Sequence, residues 1–408
     1  MSKRSHRLLI FTVLFAFQCL SVFSLSCQDN SKEINNKQTI IDDDDATTDD
    51  AEGTEQEYDS NWGCLAQATD NNCVYFLEYE AFWNENTQSY TQTNISLIDA
   101  TNKILLKNSY DIMTSPYWTY DVCNSLYVSN GETVSVLLRN RVYRYSQDWE
   151  EMVQIPYLQH GTDSPCNEYF SLGDNGKGIV LSILHAPMGS YLSHYDYHSN
   201  RLTDTMEVWT EMHKMGLLGE EDSNWAIDVI YGSFDETTGE FEFLYNSNGK
   251  AFFGKFIESE LKATKLSDSR QILAATKLDN TYTLLLAAND EVVNRLMIAN
   301  LANNTIQNEM VIYSALPIGP LSHDVIKTDG LAAVAVFGDP ANKLLYADLE
   351  SRSWEIIDVE VSPYEQCKLL TKENGSFFYW IYDSDRCVLK YEVLFDPLRI
   401  SIAEKNCY

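Results

Sequence analysis

Residues 367–380 read Cys367-Lys368-Leu369-Leu370-Thr371-Lys372-Glu373-Asn374-Gly375-Ser376-Phe377-Phe378-Tyr379-Trp380. An apolar run, an Asn-Gly pair and a second apolar run predict a β-hairpin, because both central residues of the tight turn need positive φ. The same phrase recurs along the chain. Cys123-Asn124-Ser125-Leu126-Tyr127-Val128 leads through Asn130-Gly131 to Thr133-Val134-Ser135-Val136-Leu137-Leu138. Cys166-Asn167-Glu168-Tyr169-Phe170 leads through Asn175-Gly176 to Gly178-Ile179-Val180-Leu181. Asp329-Gly330, ahead of Leu331-Ala332-Ala333-Val334-Ala335-Val336, is a fourth instance.

A second phrase follows the first. Leu97-Ile98-Asp99-Ala100, His194-Tyr195-Asp196-Tyr197, Ile298-Ala299-Asn300-Leu301 and Tyr346-Ala347-Asp348-Leu349 each put Asp or Asn third, before a polar turn. Asp and Asn end strands by bonding backbone two residues on. One unit is therefore four strands joined by turns. Seven units lie at about 66–114, 122–158, 165–211, 226–267, 270–315, 324–361 and 365–406. Residues 211–224, with Met212, Met215, Leu217 and Leu218, read as a short helix or loop insertion between units.

Four-stranded units repeating at roughly 40–50 residues resemble the blades of a β-propeller. The resemblance implies an all-β fold of about seven four-stranded blades over residues 61–408, with six or eight blades, or tandem β-sandwiches, as alternatives. No Trp-Asp dipeptide of the WD40 type is present. A ring must join its ends to avoid an open edge. The expectation is that strands near 62–76 and 398–407 share one blade.

The N-terminus reads as an address. Lys3, Arg4 and Arg7 precede an apolar run from Leu8 to Phe17, and Ser24-Leu25-Ser26-Cys27 follows. A basic start, an apolar stretch and small residues before a cut site form a secretory signal peptide, here 1–26. The same residues resemble a bacterial lipoprotein box, with Ser24 where Leu is usual. That resemblance implies lipidation at Cys27 and a membrane-anchored envelope protein. Plain secretion and an uncleaved span over 8–25 are the alternatives. Residues 27–60 carry Asp42-Asp43-Asp44-Asp45, Asp49, Asp50, Glu52, Glu55, Glu57 and Asp59 with few apolar side chains, the composition of an extended acidic tether. Four consecutive Asp lack the alternating spacing and turning glycine of a calcium loop.

Beyond Cys19 and Cys27 seven cysteines remain: Cys64, Cys73, Cys123, Cys166, Cys367, Cys387 and Cys407. In an oxidising compartment some should pair, and their spacing leaves the connectivity open.

The formal net charge of −31 repels nucleic acid and anionic lipid headgroups. Cationic partners, divalent metals and neutral glycans are less hindered. His194, Asp196 and His198 alternate along an expected strand, a pattern that could offer two imidazoles and a carboxylate to a metal. Asp196 is equally the turn residue of its repeat. No nucleophile elbow, phosphate loop or His-Glu-x-x-His is present, so no catalytic residue and no cofactor are assigned. Trp149 and Trp354 follow equivalent turns and are expected to pack blade against blade. Trp83 and Trp118 fall in or near loops and are candidates for a binding surface. The leading reading is an envelope-anchored binding or scaffolding propeller with a protein or glycan partner. The rival is an exported hydrolase or lyase with carboxylates or a metal in the central funnel.

Overall fold

The computed structural model describes residues 60–408 apart from 70–72, 85–88, 109–123, 129–132, 139–140, 146–152, 157–165, 186–187, 220–221, 223–226, 289–294, 314–324, 338–342, 360–366 and 384. Among these residues the strands form seven four-stranded antiparallel sheets, each paired in the order in which its strands follow along the chain. The sheets occupy 60–108, 124–154, 166–207, 228–267, 270–313, 325–358 and 367–407, and are numbered here as blades one to seven. The first strands of neighbouring blades pack against one another at six of the seven seams, and that of blade seven (Cys367–Glu373) meets that of blade one (Ser60–Ala68). The molecule is a seven-bladed β-propeller.

Burial follows position in the blade. A second strand has sheet on both sides and blades above and below it. Ala332–Phe337, second in blade six, is accordingly buried at all of its positions. Such strands read as continuous apolar runs rather than alternating ones. The fourth strands form the rim, and Ser353–Asp358 and Arg399–Cys407 carry mostly exposed side chains. Trp354 lies on that rim and is 40% exposed, so it is not the blade-to-blade packing residue that its turn position suggested.

Turn chemistry matches the repeat closely. Asn374 and Gly375 both have positive φ, as the hairpin requires, and so do Asn248 and Gly249. At Asn175-Gly176 only the glycine does, and Asn130-Gly131 lies outside the described residues. Asp196 Oδ1 accepts the backbone N–H groups of His198 and Ser199, and Asp348 Oδ1 those of Glu350 and Ser351. Asn300 departs from the pattern. Its strand runs on to Ala302, and its Oδ1 accepts from the Thr283 hydroxyl at 3.3 Å. The turn falls to Asn303-Asn304, both at positive φ. The insertion after blade three is a helix, Val208–Lys214.

Neighbouring blades are clasped by a recurring contact, in which the last turn of one blade reaches the rim strand of the blade before it. Ser259 donates to Asp204, Arg352 donates to the Glu309 carbonyl, Glu355 accepts from Leu398 N–H, and Lys103 pairs with Glu404. The strands near the two ends of the body do not share a blade. Blade one is built wholly from 60–108 and blade seven wholly from 367–407. The ring closes between neighbouring blades through the Cys64–Cys367 disulfide, which links residues 303 positions apart. A covalent bond between the two first strands does the work expected of a shared sheet. Cys387 and Cys407 pair directly across blade seven, and Cys73 is also disulfide-bonded.

Candidate functional site

A four-stranded meander puts its first and third turns at one end and its second turn, with both chain ends, at the other. Contacts between neighbours keep this orientation around the ring. The Asn175 side chain donates to the Glu236 carbonyl from turn to turn, and Lys372 pairs with Asp329 beside another such turn. The two faces therefore differ. On one, strand-to-strand turns are short, down to the pairs 258–259, 279–280, 303–304 and 374–375. On the other, sheets are joined through 109–123, 155–165, 208–227, 314–324 and 359–366, with one short link at 268–269. In sequence, eight of the nine prolines (116, 156, 165, 187, 317, 320, 340 and 363) stand between strands whose flanking ends lie at this second, open face. Proline has no N–H for a ladder and is admitted where ladders end. Long connections on a rigid scaffold are where binding residues concentrate.

Trp83 is the penultimate residue of the strand Val74–Asn84, which ends at the open face. Trp118 belongs to the 109–123 connection and lies outside the described residues, as do Trp149, Cys27 and the whole of 1–59.

The described part of the insertion at the open face is pinned by an ion pair whose carboxylate is buried and whose lysine is partly exposed. After the helix Val208–Lys214 the chain turns at Gly219, whose N–H donates to Asp222 Oδ2 at 2.7 Å. Lys250 Nζ reaches both Asp222 oxygens at 2.8 Å. The Lys250 hydrogen bond holds the Asp222 carboxyl below the usual carboxylate range, against the opposing effect of burial. Trp209 and His213 touch one turn apart on the helix, their rings tilted at 58° with centroids 4.0 Å apart.

The structure separates His194, Asp196 and His198. Asp196 ends its strand, and the Lys177 ammonium beside it lowers its carboxyl to about 2. His198 lies beyond the strand end, edge-on to Tyr197. Its ring covers Gly176, where an added Cβ would stand 2.6 Å from Nε2. His194 fills the cleft between blades three and four. Its Nε2 donates to the Gly239 carbonyl at 2.9 Å, its ring stacks on Phe256 at 4.8 Å, and its Nδ1 stands 3.5 Å from Asp204. Among the described residues no three His, Cys, Asp or Glu side chains gather as a metal-holding group.

A pocket of about 210 Å³ opens between blades five and six. Ile298 and Met310 form its apolar floor; Asn300, Asn308, Glu350 and Arg352 supply polar groups, and Gly330 and Leu349 complete the wall. Sequence reading singled out none of these as a site, and Asn300 entered it only as a repeat position. The repeat phrase aligns Asn300 with Asp196, and only the strand register sets Asn300 where blade three carries His194.

No protein-family model and no curated protein matches this chain. Among solved structures it is similar to a puromycin-hydrolyzing peptidase of Mycobacterium tuberculosis, at 10% identity and TM-score 0.48 over 85% of this chain and 53% of that one. It is similar to a puromycin hydrolase at 10% identity and TM-score 0.46, over 81% and 52% of the two chains. It also resembles the Dos1 propeller at 11% identity and TM-score 0.43, over 84% and 80%. The chain spans about half the length of the two hydrolases it resembles. At these identities and scores the likeness carries no information about activity.

Proposed function

We propose that this protein is an exported binding propeller of the cell envelope, lipidated at Cys27, with residues 27–60 as a spacer and a protein or glycan partner held at the open face. The observation that carries the reading is the inequality of the two faces: five of the six sheet-to-sheet connections, leaving from strand ends at one face, are eight residues or longer, while the strand-to-strand turns at the other are seven residues or fewer. The disulfides Cys64–Cys367 and Cys387–Cys407 agree with an oxidising compartment. The net charge of −31 favours a cationic or neutral partner surface over an anionic one.

Two measurements test it. Intact mass of the membrane-fraction protein should begin at Cys27 and carry a diacylglycerol-sized increment; an unmodified Cys27 removes the anchor from the proposal. Glycan-array and envelope cross-linking profiles of the full-length protein should yield a partner that is lost when 314–324 is replaced by a short Gly-Ser link. Replacing Asn374-Gly375 on the opposite face with another hairpin turn should leave capture intact. A partner insensitive to every open-face change overturns the reading.

A further inference from the structure

The clefts after blades three and five are built to one plan. In each preceding blade a bulge separates the third strand from the rim strand, between Leu192 and His194 in one and between Ile298 and Asn300 in the other. The first bulged rim residue has positive φ in both, Asp204 and Asn308. The floors correspond, since Leu192 pairs with Met206 and Ile298 with Met310. Each cleft is bordered by a glycine of the next blade's first turn, Gly239 or Gly330, both at positive φ.

What differs is the filling. In the first cleft the His194 ring lies on the Phe256 ring and donates to the Gly239 carbonyl. In the second, Asn300 stands in the place of His194. Ala347 stands in the place of Phe256, each pairing one step before the last pair of its hairpin. Phe241, opposite Phe256, is likewise matched by Ala333, opposite Ala347. Both alanines belong to the apolar cluster that holds Ile298 and Met310, Leu349 lines the space above, and a pocket of about 210 Å³ stands open where the first cleft is filled by a ring. The pocket opens to solvent and is lined by polar as well as apolar side chains, so it suits a small ring with a polar edge rather than a purely apolar one.

We propose that this pocket binds a planar ring bearing an N–H donor, imidazole in size, seated on Ile298 and Met310 with its N–H toward the Gly330 turn and the Asn308 amide. The first cleft is the template, because the fold there already holds such a ring in that place. Arg352, donating to the Glu309 carbonyl across the seam, frames the mouth, and the Glu350 carboxylate supplies an acceptor beside it.

The test is ligand-observed NMR on the full-length protein, with imidazole as one probe and an end-blocked Gly-His-Gly peptide as the other. Saturable binding of imidazole is expected, and it should vanish in Asn300→His, whose own ring plugs the cleft and whose melting temperature should match or exceed that of the parent. Asn308→Asp, which restores the carboxylate of the template, should tighten imidazole binding several-fold. Binding of imidazole alone assigns a free ring, and binding of the peptide as well assigns a ring carried on a side chain. Absence of saturable binding by either probe, undiminished binding in a folded Asn300→His, or no gain in Asn308→Asp overturns the proposal.

Discussion

The seam between blades seven and one and the seam between blades three and four solve the same packing problem by different means. At the three–four seam the chain itself crosses from blade to blade. The helix Val208–Lys214 and the Asp222–Lys250 pair guide it, and the interface is aromatic. Phe241, Phe243, Tyr245 and Phe252 stack in series with centroids 4.9, 4.9 and 5.2 Å apart. Gly254 lies opposite Phe243, where an added Cβ would stand 2.5 Å from the ring, so glycine makes room for the stack. No chain crosses the seven–one seam. There the Cys64–Cys367 bond ties the first strands, and a buried carboxylate binds the layers. Glu78, 3% exposed, accepts from the Tyr382 hydroxyl at 2.9 Å and pairs with Arg386 at 3.3 Å. A seam crossed by the chain gets proximity from the backbone and can rely on apolar burial. A seam between chain ends must overcome the entropy of a very long loop, and a cross-link removes that cost from the unfolded state.

The sharpest way to break this contrast is to delete the cross-link. With a sequence separation of 303, the chain-entropy account assigns the Cys64–Cys367 bond about 5–6 kcal/mol. The double variant Cys64→Ser, Cys367→Ser should lose stability on that scale in denaturant titration, with blades one and seven gaining the most amide exchange. A loss under about 1 kcal/mol would mean that side-chain packing alone holds the ends. On the other seam, Phe256→Ala removes a fully buried ring and its stack on His194, and should cost about 3–5 kcal/mol. An exchange pattern confined to blades three and four would confirm that the seams open independently.

Lys250→Ala strands the Asp222 carboxylate at the open-face insertion, at a cost of about 1–3 kcal/mol near neutral pH. The pH dependence has a definite sign. The folded Asp222 pKa is depressed by Lys250, so its contribution is complete above the unfolded carboxylate value, near pH 4, and is lost as pH falls through the lower folded value. Asp222→Asn should therefore flatten the acid limb of the stability curve below about pH 4 and leave its shape above that unchanged. Tyr382→Phe takes one donor from Glu78 while Arg386 stays, and should cost about 1 kcal/mol at the closing seam. Burial, first, and the Glu78 carboxylate, second, push the Tyr382 hydroxyl far above the ordinary tyrosine range, so this difference should stay constant through mildly alkaline pH. Smallest is Lys214→Ala, which removes an exposed pair with Glu211 and should move stability by no more than about 0.5 kcal/mol.

Much of the architecture was legible beforehand. The unit expected at about 226–267 is blade four, 228–267, and that expected at about 365–406 is blade seven, 367–407. The Asn374-Gly375 hairpin and the Asp196 and Asp348 turns formed because each rests on residues within four positions of one another. The candidate sites were far less legible. His194 presents a metal-like spacing in sequence, yet in the fold its ring faces Gly239 and Phe256 of the next blade. Trp354 shares the turn phrase of Trp149 but falls on an exposed rim strand. The pocket between blades five and six is lined by Asn300 of one repeat and Glu350 of the next, each unremarkable within its own repeat.

Taken alone, the sequence determined that the body is a series of four-stranded units, about seven in number, and the chemistry of most of their turns. These follow from short-range alternation and from the few residues that accept positive φ. Only the tertiary structure decided how the ring closes, which cleft is plugged and which is open. Cys64 meets Cys367, and His194 meets Phe256, only because particular blades become neighbours. The volume left in a cleft is the difference between side chains contributed by two repeats, which no local pattern encodes.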